Sequence, residues 1–245
     1  MPSSNTALMD QAAAIARPQG PADASGWTLA APRPNTKKES YPSYPRGAWL
    51  CAEGSPATGV YIVRSGRVKE TLSSSDGKKL IVRVLGPGQI VGLTAVLSGH
   101  LYDVTAEALE LTQAEFISAK DFLHNMESSP QMGLSVVSQL SQNCKDVYDN
   151  LRRLTFPANV TQRLARLVQE WYQRALPGKE GQECRFQVTL TQEEIAQMVG
   201  STRETVSRIL MDFRRKGWLR AKGVTWVVTN PGALLRLAEA GERRR

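Results

Sequence analysis

The sequence predicts an α+β chain: an antiparallel β-roll or jelly roll first, then a long helix, then a winged helix-turn-helix. Three observations carry this. Between Tyr41 and about Asn125, short β-branched runs are separated by glycine turns. From Val137 to Leu154, apolar residues recur at alternating spacings of three and four. The segment LTQEEIAQMVGSTRETVSRIL, Leu190 to Leu210, reads as two short helices around a glycine.

Taken in order, residues 1–40 lack periodicity and are rich in Ala, Pro, Ser and Asn, which predicts a disordered arm. The roll occupies 41–125. Within it VYIVRSGRVKETL predicts a hairpin turning at Ser65 and Gly66, and SSDGKKLIVRVL another entered through Asp76 and Gly77. Residues 126–156 form the connecting helix, starting near Pro130 and ending before Pro157, because proline is tolerated in a first turn but blocks continuation. Val137, Leu140, Cys144, Val147, Leu151 and Leu154 make its a/d seam, which suits packing either on its own domain or on a second copy.

The last domain covers 157–245. Val160, Leu164, Leu167, Val168 and Trp171 mark a supporting helix. Thr191 with Glu194 is a capping box opening a helix that buries Ile195, Met198 and Val199 and stops at Gly200. Ser201 with Glu204 reads as a second capping box, followed by Val206, Ile209, Leu210 and Phe213 on one face. Trp218 to Ala221 and Val224 to Val228 then predict a wing turning at Lys222 and Gly223.

Two helices joined by so short a glycine turn cross steeply, the arrangement that projects a second helix into a DNA major groove. Arg203, Glu204, Ser207 and Arg208 lie on its first turns, off the apolar face. Arginine can take both acceptors of a guanine and glutamate can accept from a cytosine amino group, so the four are candidate base readers. Thr191, Gln192, Ser201 and Thr202 at the helix N-termini, with Arg214, Arg215, Lys216 and Lys222, are candidate phosphate contacts. The competing reading is a solvated, self-capping surface helix. Charge placement favours double-stranded DNA as partner: residues 159–245 hold 16 Lys and Arg against 9 Asp and Glu, whereas 1–158 hold 15 against 14.

At 245 residues, 41% hydrophobic and 22% charged, the chain supports two cored domains. It has no apolar run near the roughly 18 residues that span a bilayer and no secretory leader pattern, so a cytoplasmic protein without membrane contact is expected. Cys51, Cys144 and Cys184 are too few and scattered for a disulfide framework or a standard zinc site. No cofactor, metal or catalytic constellation is expected, hence no enzyme.

Residues 190–210, and RETVSRIL at Arg203 to Leu210 in particular, resemble the DNA-binding motif of the cyclic-AMP receptor protein and fumarate-nitrate reductase regulator (CRP/FNR) family. Upstream, YIVRSGRVKETL from Tyr61, SSSDGKKLIVRVLGPGQIVG to Gly92 and ALELTQAEFI to Ile117 are similar to that family's sensory, cyclic-nucleotide-binding-like roll. Downstream, GWLRAKGVTWVV resembles its wing, so the likeness covers about residues 41–232.

The resemblance implies a transcription regulator that pairs its long helix with a second copy, acts with RNA polymerase and reads a palindrome. Residues matching Glu204 and Arg208 read the cytosine and guanine of a TGA-containing half-site in that family. Ser207 matches the serine of regulators preferring TTGA, and Arg203 matches the extra guanine reader of the cyclic-AMP receptor. Cys144 would then lie near its symmetry mate.

The effector stays unassigned. Where the receptor's nucleotide cassette has a glycine-glutamate pair and an arginine-serine pair, this chain has Gly92 with Leu93 and Tyr102 with Asp103. Leu93 cannot accept from a ribose hydroxyl and Asp103 would repel a phosphate. Arg64, Arg67, Lys69, Lys78, Lys79 and Arg83 offer positive charge to a nucleotide bound outside the roll, or are solvated strand faces. Three dispersed cysteines do not make an iron-sulfur site. His100 and His124 are the only candidate haem ligands by type, and two histidines 24 positions apart do not build a cupin metal centre.

Overall fold

The computed structural model describes residues 41–156, 159–176 and 181–240. The expected arm at 1–40, Pro157 and the terminal Arg243, Arg244 and Arg245 lie outside the described residues. The fold divides into two compact units between Leu151 and Arg152.

The first unit is a roll of two antiparallel four-stranded sheets. One is ordered β1 (Ser43–Tyr44), β8 (Thr112–Ser118), β3 (Gly59–Ser65), β6 (Ile90–Val91); the other β2 (Trp49–Cys51), β7 (Thr105–Ala108), β4 (Val68–Ser73), β5 (Lys79–Leu85). Alternation along the strands sends Val63, Val68, Leu85, Val91, Ala106, Ala108 and Ala114 into the space between the sheets.

The expected hairpin through Ser65 and Gly66 is not formed, because β3 and β4 belong to different sheets. Gly66, at φ +80°, lets the chain cross between them where a Cβ would come within 2.5 Å of Thr112 Oγ1. Just beyond it, the carbonyl of Arg67 accepts from the Leu109 amide at 2.8 Å, next to β7 of the second sheet, and from the Thr112 hydroxyl at 3.1 Å, at the start of β8 of the first, so the crossing is held from both sides. The second hairpin forms as expected. Ser73 pairs with Lys79, and the loop closes through the Ser74 amide on the Lys78 carbonyl at 2.9 Å.

The charged strand residues are not simply solvated faces. Arg83 and Glu70 form an ion pair at 2.6 Å with side chains only 11% and 5% exposed, and Lys69 reaches Glu107 at 3.0 Å while itself buried. Burial outweighs Arg83 at Glu70 and raises its carboxyl above the usual range. Arg64 pairs with Glu115, Arg67 with Glu110 and Lys78 with Asp76.

Three helices accompany the roll: α1 (Leu93–Ser98), α2 (Ala119–Ser128) and α3 (Pro130–Thr155). Leu93, Val96, Phe122 and Val136 join Val60, Ile62 and Ile90 in a second apolar cluster. Helix α2, at which the sequence pattern gives no helix, straddles the expected boundary at 125. Ser118 caps it by accepting from the Asp121 amide at 3.1 Å. Farther along α3, Asn150 Nδ2 donates to the Val82 carbonyl at 2.7 Å and ties the helix to the free edge of β5.

The second unit contains α4 (Val160–Ala175), β9 (Cys184–Gln187), α5 (Gln192–Val199), α6 (Arg203–Arg215), β10 (Leu219–Lys222), β11 (Thr225–Val228) and α7 (Pro231–Glu239). Leu164, Leu167 and Val168 of α4 are fully buried, and Trp171 meets Trp226 edge-on at 5.9 Å between ring centroids. The wing is a three-stranded sheet, β10-β11-β9. Lys222 pairs with Thr225, so the turn falls on Gly223 and Val224 rather than on Lys222 and Gly223. Gly223, at φ +58°, supplies the left-handed conformation the tight turn requires.

Gly59 makes the closest approach in the roll: a Cβ there would lie 2.2 Å from the Ile117 carbonyl and 2.6 Å from the Phe116 ring. Gly59→Ala is expected to destabilise the roll by about 1–3 kcal/mol, because a backbone carbonyl cannot swing away as a side chain can. Denaturant unfolding of the two proteins, with unchanged slope, measures it.

Candidate nucleic-acid interface

Helix α5 starts where the sequence indicates. Thr191 Oγ1 accepts from the Glu194 amide at 3.2 Å, and Glu194 Oε2 accepts from the Thr191 amide at 2.7 Å. The reciprocal bonds commit the Thr191 side chain to its own helix, and Gln192 begins that helix beside it. Ile195, Ala196 and Val199 are fully buried.

The helix ends at Gly200, whose φ of +60° turns the chain out of the helical path. The amides of Gly200 and Ser201 both donate to the Ala196 carbonyl, the latter at 3.0 Å. Arg163 of α4 completes the turn: its Nε donates to the Val199 carbonyl at 2.8 Å and its Nη2 to the Gly200 carbonyl at 3.4 Å. The sequence carries no signal for this contact, since Arg163 sits 36 residues from Val199 on the polar side of an ordinary amphipathic helix.

Ser201 does not cap the following helix. Thr202 does, accepting from the Thr205 amide at 3.3 Å, so α6 starts one residue later than the Ser201–Glu204 box implies. Taking part in the Gly200 turn holds the Ser201 backbone away from the cap position. Val206, Ile209, Leu210 and Phe213 then face inward, with Val206 fully buried.

That packing decides which side chains are left outward. Arg203, Glu204 and Arg208 are exposed and Ser207 is half-buried, all on the first two turns of α6. Neither Arg203 nor Arg208 makes a hydrogen bond or ion pair among the described residues. The Glu204 carboxyl is held below the usual carboxylate range, first by its own backbone amide, then by the Thr202 hydroxyl and nearby Arg203. It is therefore an acceptor at neutral pH, as a reader of an amino group must be.

The other cations differ in availability. Arg214 is exposed, Arg215 is ion-paired with Asp212, and Lys216 Nζ lies 4.8 Å over the Trp218 ring. Lys222 is exposed at the end of β10. Trp218 also anchors the end of the recognition segment: its carbonyl accepts from the Thr229 amide at 3.0 Å, and its ring packs on Phe213.

In the roll, Leu93 is 2% exposed within the second apolar cluster, so it contributes no polar group. Tyr102 is buried, and its hydroxyl donates to the Gly59 carbonyl at 2.6 Å. The ring approaches Gly92 so closely that a Cβ there would stand 2.6 Å from it. Neither position carries a carboxylate or a guanidinium.

The seam residues of α3 divide between two faces. Val137, Val147 and Leu151 are 58%, 50% and 56% exposed, and Cys144 is exposed as well. Leu140 packs partly against the second apolar cluster, and Leu154 is half-buried. Leu134 and Tyr148, at 60% and 62% exposure, extend the outer stripe. Among the described residues no group of three or more His, Cys, Asp and Glu is arranged to hold a metal ion, and no helix is long and apolar enough to cross a membrane.

Residues 42–129 match the family model of the cyclic nucleotide-binding domain and residues 162–237 that of the Crp-like helix-turn-helix domain. The CRP-like cAMP-activated global transcriptional regulator of Mycobacterium tuberculosis is 31% identical over 208 residues, 83% of this chain and 90% of that protein. The fumarate and nitrate reduction regulatory protein of Escherichia coli is 29% identical over 197 residues, 79% of this chain and 76% of its own length. Among solved structures, FixK2 of Bradyrhizobium japonicum shares the fold with a TM-score of 0.68 at 24% identity, over 81% of this chain and 96% of its own. The order of roll, long helix and winged helix-turn-helix, with these relatives, establishes that the chain belongs to the CRP/FNR family of transcription regulators and carries its DNA-binding helix-turn-helix.

Proposed function

We propose that the chain acts as a homodimer that reads a palindrome of two half-sites sharing a TGA core. The observation that carries this reading is the division of α6: its apolar face is buried, and Arg203, Glu204, Ser207 and Arg208 remain on the side left to a major groove. In this reading the arginines take guanine edges and Glu204 a cytosine amino group. Thr191, Gln192, Ser201, Thr202, Arg214, Arg215, Lys216 and Lys222 hold phosphates. With Thr191 and Thr202 hydroxyls engaged in caps, those two residues act through the backbone amides around them. Arg208→Ala is expected to cost about 1–3 kcal/mol at one base position and to change the consensus selected from random DNA. Lys216→Ala should weaken all sequences alike. An unchanged consensus for the Arg208 variant would overturn the assignment.

Dimerisation rests on the outer stripe of α3. An apolar row from Leu134 to Leu151 left open to water is what a paired helix covers. We assign 41–125 to sensing, 126–156 to dimerisation and 157–245 to DNA binding, with RNA polymerase as the further partner. Leu151→Glu is expected to raise the dimer dissociation constant by about tenfold or more, each tenfold being about 1.4 kcal/mol; sedimentation velocity over a concentration series reads it.

Cyclic AMP does not gate the protein in the usual mode. Supporting this, Leu93 and Tyr102 fill with apolar packing and an internal hydrogen bond the two places where nucleotide anchors are required. Titrating cyclic AMP to millimolar levels should leave the affinity for the selected palindrome unchanged. A several-fold gain would sink this part of the reading.

A further inference from the structure

One apolar side chain stands among the outward residues of α6. Met211 is 58% exposed, while Val206, Ile209, Leu210 and Phe213 of the same helix are buried. At about 100° per residue, Met211 falls about 20° from Glu204, about 40° from Ser207 and about 60° from Arg208 around the helix axis. It stands about 100° or more from every buried residue of α6. Met211 therefore occupies the middle of the arc formed by the four base readers. Along the axis it sits one turn beyond Ser207 and Arg208, about 5 Å farther on. With more than half of its surface open, it takes little part in the packing that holds the helix. A solitary exposed methionine elsewhere on a surface needs no explanation. This one lies on the face that the proposed reading turns to the base edges.

We propose that Met211 is a further specificity-determining residue, which reads the C5-methyl group of a thymine beside the base pair taken by Arg208. The inference rests on the α6 reading above and deepens it. Thymine is the one base that presents an apolar group in the major groove, and apolar side chains select it by contact. Methionine suits that contact, because an unbranched, flexible and polarisable side chain settles against a methyl group without a fixed geometry. The spacing fits as well: one helical turn of about 5.4 Å covers about one to two base-pair rises of about 3.4 Å. In a TGA core the guanine pair has a T·A pair on one side and an A·T pair on the other. Whichever direction α6 runs, the pair next to the guanine therefore offers a thymine methyl. A protein partner fits this face less well. The positions around Met211 on the arc are charged or carry a hydroxyl, without the aromatic centre of a protein interface.

The test uses deoxyuridine, which differs from thymidine in the groove only by that methyl group. The full chain is titrated by fluorescence anisotropy against the selected palindrome and against duplexes carrying dU for the thymine on either side of the core guanine pair. Each position is replaced separately and in both half-sites. One of the two replacements should weaken wild-type binding by about fourfold per half-site, the worth of one buried methyl-sized group. Met211→Ala should bind the thymine duplex more weakly by a similar factor and show no response to dU at that position. Its salt slope should equal that of wild type, because no phosphate contact is lost. Its thermal midpoint should also match, which separates lost reading from lost folding. A wild type indifferent to dU at both positions, or a Met211→Ala protein that keeps the wild-type response, overturns the proposal; a changed consensus for Arg208→Ala would still support the α6 reading. Failure of the wild type to select any palindrome overturns both.

Discussion

The turn at Gly200 is the constraint on which the DNA-facing unit depends. A left-handed residue there redirects the chain within two positions, and the Ala196 carbonyl absorbs both of the amides that follow. The carbonyls of Val199 and Gly200 would otherwise be left at a helix end, and Arg163 takes them. Thus α4 both supports the helix pair through its buried stripe and fixes the bend between the two helices. Where α6 begins, which side of it is buried and which side chains stand clear all follow from that bend.

The roll is organised differently. Its sheets enclose small and branched side chains, and its strand cations Arg83, Lys69 and Arg64 are answered from neighbouring strands by Glu70, Glu107 and Glu115. The Arg83–Glu70 pair is desolvated, so removing one partner would strand a buried charge, whereas the exposed Lys78–Asp76 pair contributes little. Tyr102 reaches from the loop between α1 and β7 to Gly59 and occupies space beside Gly92.

Much of this was legible from local pattern. The Thr191–Glu194 box, the wing strands and the helix from Pro130 to Thr155 depend on neighbours a few residues apart, and all three are seen. Other features depend on distant partners or on the exact geometry of a turn. In place of each other, β3 takes β8 and β4 takes β7, strands far along the chain. The shift of the cap from Ser201 to Thr202 follows from the turn geometry, not from composition. Arg83 reads as one of several strand-face cations, and nothing in the sequence singles out Arg163, because burial and carbonyl partners are properties of the assembled fold. The outward side chains of α6 are legible in the sequence because helical periodicity sorts buried from exposed positions directly.

That sorting separates two kinds of selection on one helix. Val206, Ile209, Leu210 and Phe213 carry the packing, while Arg203 and Arg208 touch nothing else among the described residues that the fold needs. In the proposed reading, exchanging an outward residue would alter what is read at almost no cost in stability, since surface positions of this kind tolerate substitution. Gene duplicates can therefore acquire new operators by a few changes on one face, with no compensating mutation in the core. A shared scaffold with divergent target repertoires is the evolutionary outcome such a helix permits.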